Sequence, residues 1–292
     1  MRIGRKIPGT ASRDSVNGWP RDFLGNRFVY AVISQRARGL ALGVNLNPEK
    51  YCNFKCVYCE VTRGDEPRQE LPVDINVMSD ELHKLLEWAD QDKLREQPRF
   101  QKVPAELMQL KSVTLSGDGE PTLCPNFDAV VEAVLSIRSQ RPQFFKIVLI
   151  TNTSGLFQPH VRRGWEQLAA DDEIWAKLDA GTQKYMERVN HPEHITLQHV
   201  AANILQLGRV RPIVIQSLFP LLDDEGPSAA EIDRYILRLQ ELKAGGAQIT
   251  MVQVLSAHRP APNRNCGHLP LNVLSAIARQ VRQETGLKTE VF

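Results

Sequence analysis

Three cysteines fall within one ten-residue stretch, Tyr51-Cys52-Asn53-Phe54-Lys55-Cys56-Val57-Tyr58-Cys59-Glu60. Their spacing is C-x3-C-x2-C, with no fourth cysteine nearby. Clustered thiolates are metal ligands, and a four-iron cubane that only stores an electron normally takes four of them. Three leave one iron open to a small molecule, which suits a reactive centre. A structural zinc or iron–sulfur module asks for four protein ligands on a small domain instead, and this chain offers neither. Cys124 and Cys266 stand alone and are expected to be small buried or loop residues. His258, Cys266 and His268 form a His-x7-Cys-x-His pattern that matches no established metal site.

Five cysteines, an odd number with three clustered, do not make a disulfide framework. They fit a reducing compartment. The basic N-terminus has no apolar run after it, so no signal peptide is expected. No stretch reaches the roughly 20 apolar residues of a membrane span, and a cytoplasmic protein is the expectation. Net charge is only +2. Residues 1–50, however, carry nine basic against three acidic side chains. That segment leads straight into the cysteines, so it is either a solvated arm or a surface for an anionic substrate or a tRNA backbone.

The rest of the chain reads as the scaffold for that loop. From residue 39 onward, short β-branched runs alternate with helical-period segments. Strands are expected at 40–46, 112–115, 146–150, 173–178, 212–217 and 248–254. Helices are expected at 126–139, 159–169, 182–190, 195–207, 229–243 and 271–285, and Ser79 is expected to N-cap another that presents Leu82, Leu85 and Leu86. Residues 288–292 make a last strand. Runs apolar on both faces and separated by helices argue for a parallel sheet, which right-handed crossovers curl toward a barrel. Six βα units are too few for eight-fold closure, so the expected fold is a partial (β/α)6 barrel, α/β in class, over residues 39–292. Residues 1–38, with a strand at 28–33, are expected to pack at its edge.

In such folds function gathers at the C-terminal ends of strands, and the polar anomalies fall there. The first strand delivers the cysteines. The second ends in Ser116-Gly117-Asp118-Gly119-Glu120-Pro121, where glycine is needed for close backbone approach to a ligand or for a turn at positive φ. The third ends at Asn152, which fixes a turn or contacts a ligand. Lys177 and Asp179 share one face of the fourth and are expected to pair at the barrel mouth. The fifth carries Gln216 and Ser217, and the sixth runs into His258-Arg259-Pro260.

Taken in order, these residues resemble the radical S-adenosylmethionine (SAM) superfamily. The cysteine triplet with Tyr58 before its third member is the most specific part. Gly43-Val44-Asn45-Leu46-Asn47-Pro48, the Gly117–Glu120 loop, Leu178-Asp179-Ala180-Gly181 and Arg259-Pro260 are most similar to the wyosine-type tRNA-modification branch and its uncharacterised relatives. The resemblance implies a [4Fe-4S] cluster on Cys52, Cys56 and Cys59, with SAM chelating the open iron. It also implies that Gly117, Asp118, Gly119 and above all Glu120 receive the methionine ammonium, and that Asn152 contacts the ribose or carboxylate. Tyr58, Lys177, Asp179, Gln216, Ser217 and Arg259 are further candidates for cofactor or substrate contact. The branch usually has serine where Lys177 stands. Residues 1–51 contain no cysteine, so the second cluster of wybutosine-forming members has no ligands here.

The implied chemistry is reductive cleavage of SAM to methionine and a 5′-deoxyadenosyl radical that abstracts hydrogen from a substrate. A reductant such as flavodoxin or ferredoxin would supply the electron. The substrate class stays open between tRNA, a peptide or partner protein undergoing maturation, and a small molecule. A non-catalytic iron–sulfur RNA-binding protein is the reading outside enzymes.

Overall fold

The computed structural model describes residues 23–63, 69–257, 261–263 and 265–292. His258, Arg259, Pro260 and most of the basic N-terminal segment lie outside them. Ten strands are described: β1 Val29–Ser34, β2 Gly39–Asn45, β3 Leu110–Ser116, β4 Lys146–Thr151, β5 Glu173–Lys177, β6 Ile213–Leu218, β7 Pro220–Leu222, β8 Ile249–Leu255, β9 Cys266–His268 and β10 Thr289–Val291. Seven helices accompany them: α1 Ile75–Asp90, α2 Phe127–Ser139, α3 Pro159–Trp165, α4 Gln183–Asn190, α5 Leu197–Val210, α6 Ala229–Ala244 and α7 Leu271–Thr285.

One sheet has the order β1-β2-β3-β4-β5-β6-β8-β10. Every neighbouring pair is parallel except β1 with β2. At least one helix crosses between each parallel pair, so the sheet has an inner face and a helix-covered outer face. Outward residues such as Val113, Leu115, Ile147, Leu149, Ile174 and Ile215 join Phe127, Val130, Ile204 and Leu239 in the main core. Inside the curve, Val148, Trp175 and Val214 form a small separate cluster with Ile150 and Met251. The sheet curls far enough for its edges to meet at one end. Arg36, in the β1–β2 turn, stacks 5.1 Å over the Trp175 ring, and Arg38 Nη2 pairs with Glu290 Oε2 of β10 at 3.0 Å. The result is the partial α/β barrel that the strand pattern predicts.

Two expectations shift and one element is added. The first helix is capped by Asp74, not Ser79: its Oδ1 accepts from Asn76 N and Val77 N, which brings Met78 into the buried stripe. Helix α3 stops at Trp165 because the chain turns to Asp172, whose buried carboxylate accepts from Ala169 N and Ile147 N and pairs with Arg138. The short antiparallel pair β7–β9 was not foreseen; three-residue strands leave no alternation to read.

Strand β1 is held at its entry by one side chain. Glu81 of α1 accepts from the backbone N–H groups of Arg27, Phe28 and Val29 at 2.7, 2.8 and 2.9 Å. Charge-assisted bonds of this kind are individually strong. Glu81→Ala should lower the unfolding free energy by about 2 kcal/mol in a urea titration. The exposed neighbour change Asp80→Ala should have little effect; equal effects from the two would refute the anchoring role.

Candidate active site

The cysteine loop has almost no regular structure of its own, so its shape comes from what it touches. Below it, Asn45 at the end of β2 makes a reciprocal pair with Asp118: Asn45 Nδ2 donates to Asp118 Oδ2 and Asp118 N to Asn45 Oδ1, both at 2.9 Å. Beside it runs the Gly117–Glu120 loop. A Cβ on Gly119 would stand 1.6 Å from the Tyr51 carbonyl oxygen, and one on Gly117 2.6 Å from Asn47 Oδ1. Neither glycine has positive φ. The close approach that demands glycine is therefore between two parts of the chain, and it is locked by Glu120 N donating to Tyr51 O at 3.1 Å.

Cys52, Cys56 and Cys59 face one cavity of about 660 Å3 inside the barrel. Tyr58, Gly117, Gly119 and Glu120 line it, as do Asn152, Lys177 and Gln216 from successive strand ends. Each sulfur receives one N–H donor. Phe54 N lies 3.4 Å from Cys52 Sγ, Asn190 Nδ2 3.4 Å from Cys56 Sγ, and Arg63 Nη1 3.1 Å from Cys59 Sγ. Arg63 also donates to the carbonyls of Lys50 and Asp118, tying the cysteine loop to the glycine loop.

Three sequence candidates lie off the cavity. Ser217 is fully buried on the opposite face of β6, with its Oγ 2.6 Å from Tyr235 Oη of α6. Successive strand residues alternate faces, so with Gln216 inside, Ser217 points to the helices. Asp118 is taken up by Asn45. Asp179 is a buried hub: Tyr58 Oη donates to it, as do Asn190 Nδ2 and Leu218 N, both at 2.8 Å. Lys177 Nζ stands 3.5 Å from Asp179 Oδ2 and 5.1 Å over the Tyr58 ring, so the expected pair forms at the mouth.

Asn152 is held by the turn it builds. Its Nδ2 donates to Asn53 Oδ1, and its Oδ1 accepts from Ser154 N and Oγ. Glu120 is buried and accepts three donors on Oε1, from Thr122 N, Thr122 Oγ1 and Thr151 Oγ1. Its Oε2 accepts Asn152 N at 2.7 Å. Burial still raises the Glu120 carboxyl above its ordinary value, against the pull of those donors. Sequence reading missed Arg63 and Asn190. A cation four residues beyond the last cysteine was a usable signal for Arg63; nothing local marks Asn190.

The donor set fits an iron–sulfur cluster. Burial pushes the Cys56 thiol up to about 11, with Asp179 adding to it, and drives Cys52 up as well. A buried thiolate here needs a cation against it, which cluster iron supplies. Among the described residues, no three His, Cys, Asp or Glu side chains converge on a point that one metal ion could occupy. A four-iron cluster binds each thiolate at a different iron, so its ligands stand apart. Cys124 is buried away from the cavity and bonded to Asn126, and Cys266 on β9 does not line it either.

No family model matches the chain. A UPF0026 protein of Helicobacter pylori is 23% identical over 188 residues, 62% of this chain and 52% of that protein. The chain thus spans about half the length of the curated relatives it matches. Among solved structures, Streptococcus suis SuiB bound to S-adenosylmethionine has a TM-score of 0.58 at 15% identity, covering 88% of this chain and 51% of SuiB. SuiB bound to its precursor peptide SuiA gives 0.56 at 15% identity, covering 84% of this chain and 47% of that one. TYW1 with a lysine–pyruvate adduct bound gives 0.51 at 16%, covering 86% and 75%. These structural neighbours are radical SAM enzymes, and the fold of this chain is theirs.

The Gly119 contact is testable on its own. Gly119→Ala sets a Cβ against a backbone oxygen that no rotamer change can move, at a cost of about 1–3 kcal/mol. The expected outcome after anaerobic reconstitution is a folded chain with sharply reduced iron per protein. Normal loading would show that the contact does not shape the loop.

Proposed function

We propose that this chain is a radical SAM enzyme that cleaves S-adenosylmethionine reductively and uses the resulting radical to abstract hydrogen from a substrate. The observation that carries the reading is a set of three donor-supported thiols facing one barrel cavity. The glycine-rich loop is locked beside them. Cys52, Cys56 and Cys59 would hold a [4Fe-4S] cluster. When bound, that cluster supplies one electron to the sulfonium of SAM, whose carbon–sulfur bond breaks to give methionine and a 5′-deoxyadenosyl radical.

The chain's own residues then bind, orient and shield. Glu120 Oε2 carries a single described donor, Asn152 N, and a carboxylate oxygen can accept another; an ammonium is the fitting partner. Lys177 brings a positive charge to the cavity wall for a carboxylate. Gln216 offers an amide from the facing strand; its Nε2 donates to Gln253 Oε1 at 3.1 Å. Thr114 and Ser116 line the inner wall, with Ser116 Oγ 3.1 Å from Tyr30 Oη. A cavity of about 660 Å3 holds a nucleoside-sized cofactor with room for the reacting part of a substrate, and its barrel walls exclude water from a radical.

Two substrate classes draw support. The basic charge of residues 1–50 and the resemblance to wyosine-type proteins favour tRNA. The likeness to SuiB, solved with a precursor peptide, favours a peptide or partner protein. A low-potential one-electron donor such as flavodoxin or ferredoxin completes the system. No helix among the described residues is long and apolar enough to cross a membrane.

The decisive experiment is anaerobic reconstitution with iron and sulfide, then SAM and dithionite. 5′-Deoxyadenosine should form, and Cys56→Ala should lose both the brown chromophore and that product. A fully loaded protein that leaves SAM intact would overturn the reading. Turnover assays with bulk tRNA and with cell-extract peptides would then separate the substrate classes.

A further inference from the structure

Beyond the cysteine motif itself, one segment far away in sequence runs alongside it. Helix α4 ends at Asn190, and His191 takes a left-handed conformation (φ 42°) that reverses the chain. The end of α4 and the reversed segment after it both pair with the cysteine loop. Val57 N donates to Val189 O at 2.8 Å, Lys55 N to Asn190 O at 3.0 Å and Glu193 N to Asn53 O at 2.8 Å, with Phe54 bridging Pro192. This strap sets the register that turns the Asn190 side chain toward Cys56.

The Asn190 amide nitrogen lies 3.4 Å from Cys56 Sγ, 2.8 Å from Asp179 Oδ2 and 3.1 Å from Tyr58 Oη. All three neighbours can accept. Reversing the amide would aim its oxygen at the Asp179 carboxylate and the sulfur, which both repel it, so the nitrogen-inward orientation follows from the contacts. Asn190 is 2% exposed, and a hydrogen bond in such surroundings is electrostatically stronger than in water.

We propose that Asn190 is the positioning and tuning residue of the Cys56 ligand: it fixes the sulfur's direction and raises the reduction potential of the group Cys56 holds. The inference rests on the cluster reading above. Its physical basis is that an N–H donor stabilises negative charge on sulfur, and a reduced cluster carries more of that charge than an oxidised one. Arg63 supplies the charged counterpart at Cys59, and the Phe54 N–H the backbone counterpart at Cys52.

The test is a redox titration of reconstituted protein, followed by the electron paramagnetic resonance signal of the reduced cluster, with iron and sulfide assayed on the same samples. Asn190→Ala should load as wild type does but be harder to reduce, by roughly tenfold in the reduction equilibrium, about 59 mV for a one-electron couple. Asn190→His, which can again donate an N–H, should recover part of the shift. Glu193→Ala removes only the exposed Lys55–Glu193 pair on the same strap and should leave the potential unchanged. If Asn190→Ala does not fold, Asn190→Leu against Asn190→His makes the same comparison. An unchanged potential in a loaded variant, or an equal shift in Glu193→Ala, would overturn the tuning role. A wild-type chain that takes up no iron would instead overturn the cluster reading beneath it, and the iron assay tells the two failures apart.

Discussion

Cys52, Cys56 and Cys59 sit on a loop with one isolated β-bridge and otherwise no regular pairing, so the loop's polar backbone must be satisfied from outside. Fixing each residue costs about 1–2 kcal/mol of backbone entropy, and a typical hydrogen bond contributes a net of only about 1 kcal/mol. A loop this long therefore cannot hold itself. Three anchors hold it instead. The glycine loop after β3 grips Tyr51, the end of α4 and the segment after it grip residues 53–57, and Arg63 closes the end by bonding Lys50, Cys59 and Asp118. The anchors belong to different βα units, and only the order of strands in the sheet brings them together. The barrel's first task is to place them.

Electrostatics follow from that crowding. Two buried carboxylates, Glu120 and Asp179, stand close enough to Cys52 and Cys56 respectively to raise the thiols beyond what burial does. Both carboxylates are held by local donors and serve as structural nodes: Glu120 joins β3 to β4 through Thr151 and Asn152, and Asp179 joins β5 to Tyr58, Asn190 and β6. The negative charge around the sulfurs is thus required by the architecture. Arg63 and Lys177 offset part of it. A site so arranged disfavours bare thiolates and favours a cationic occupant.

How much of this was legible in the sequence depended on range. The strands announced themselves because residues apolar on both faces have few other uses, and the cysteine spacing is local. Lys177 and Asp179 were readable as a pair because strand alternation places i and i+2 together; the same alternation, applied one residue further along in β6, would have separated Ser217 from Gln216. Ser79 was a reasonable cap by residue type, but Asp74 is of an equally suitable type and takes the position earlier in the chain. Gly117 and Gly119 were recognised as obligatory, but the partner they approach is the chain's own Tyr51 and Asn47. Asn190 was invisible, since the contact that gives it meaning spans 134 residues.

The inner wall shows the same dependence from the other direction. Gly43 in β2 has no side chain, and a Cβ there would fall 2.1 Å from the Tyr30 ring. That absence lets Tyr30 of β1 lie across β2 and reach Ser116 Oγ of β3. An edge strand that pairs with a single neighbour thereby contributes a side chain to the cavity two strands away. The β1–β2 turn then carries Arg36 onto Trp175 and Arg38 to Glu290, so one hairpin touches both the middle and the far edge of the sheet. Curvature and cavity are consequently one property. If β1 were lifted from β2, the polar wall around Ser116 and the meeting of the two sheet edges would be lost together, and with them the packing of Val29, Ala31 and Ile33 in the main core.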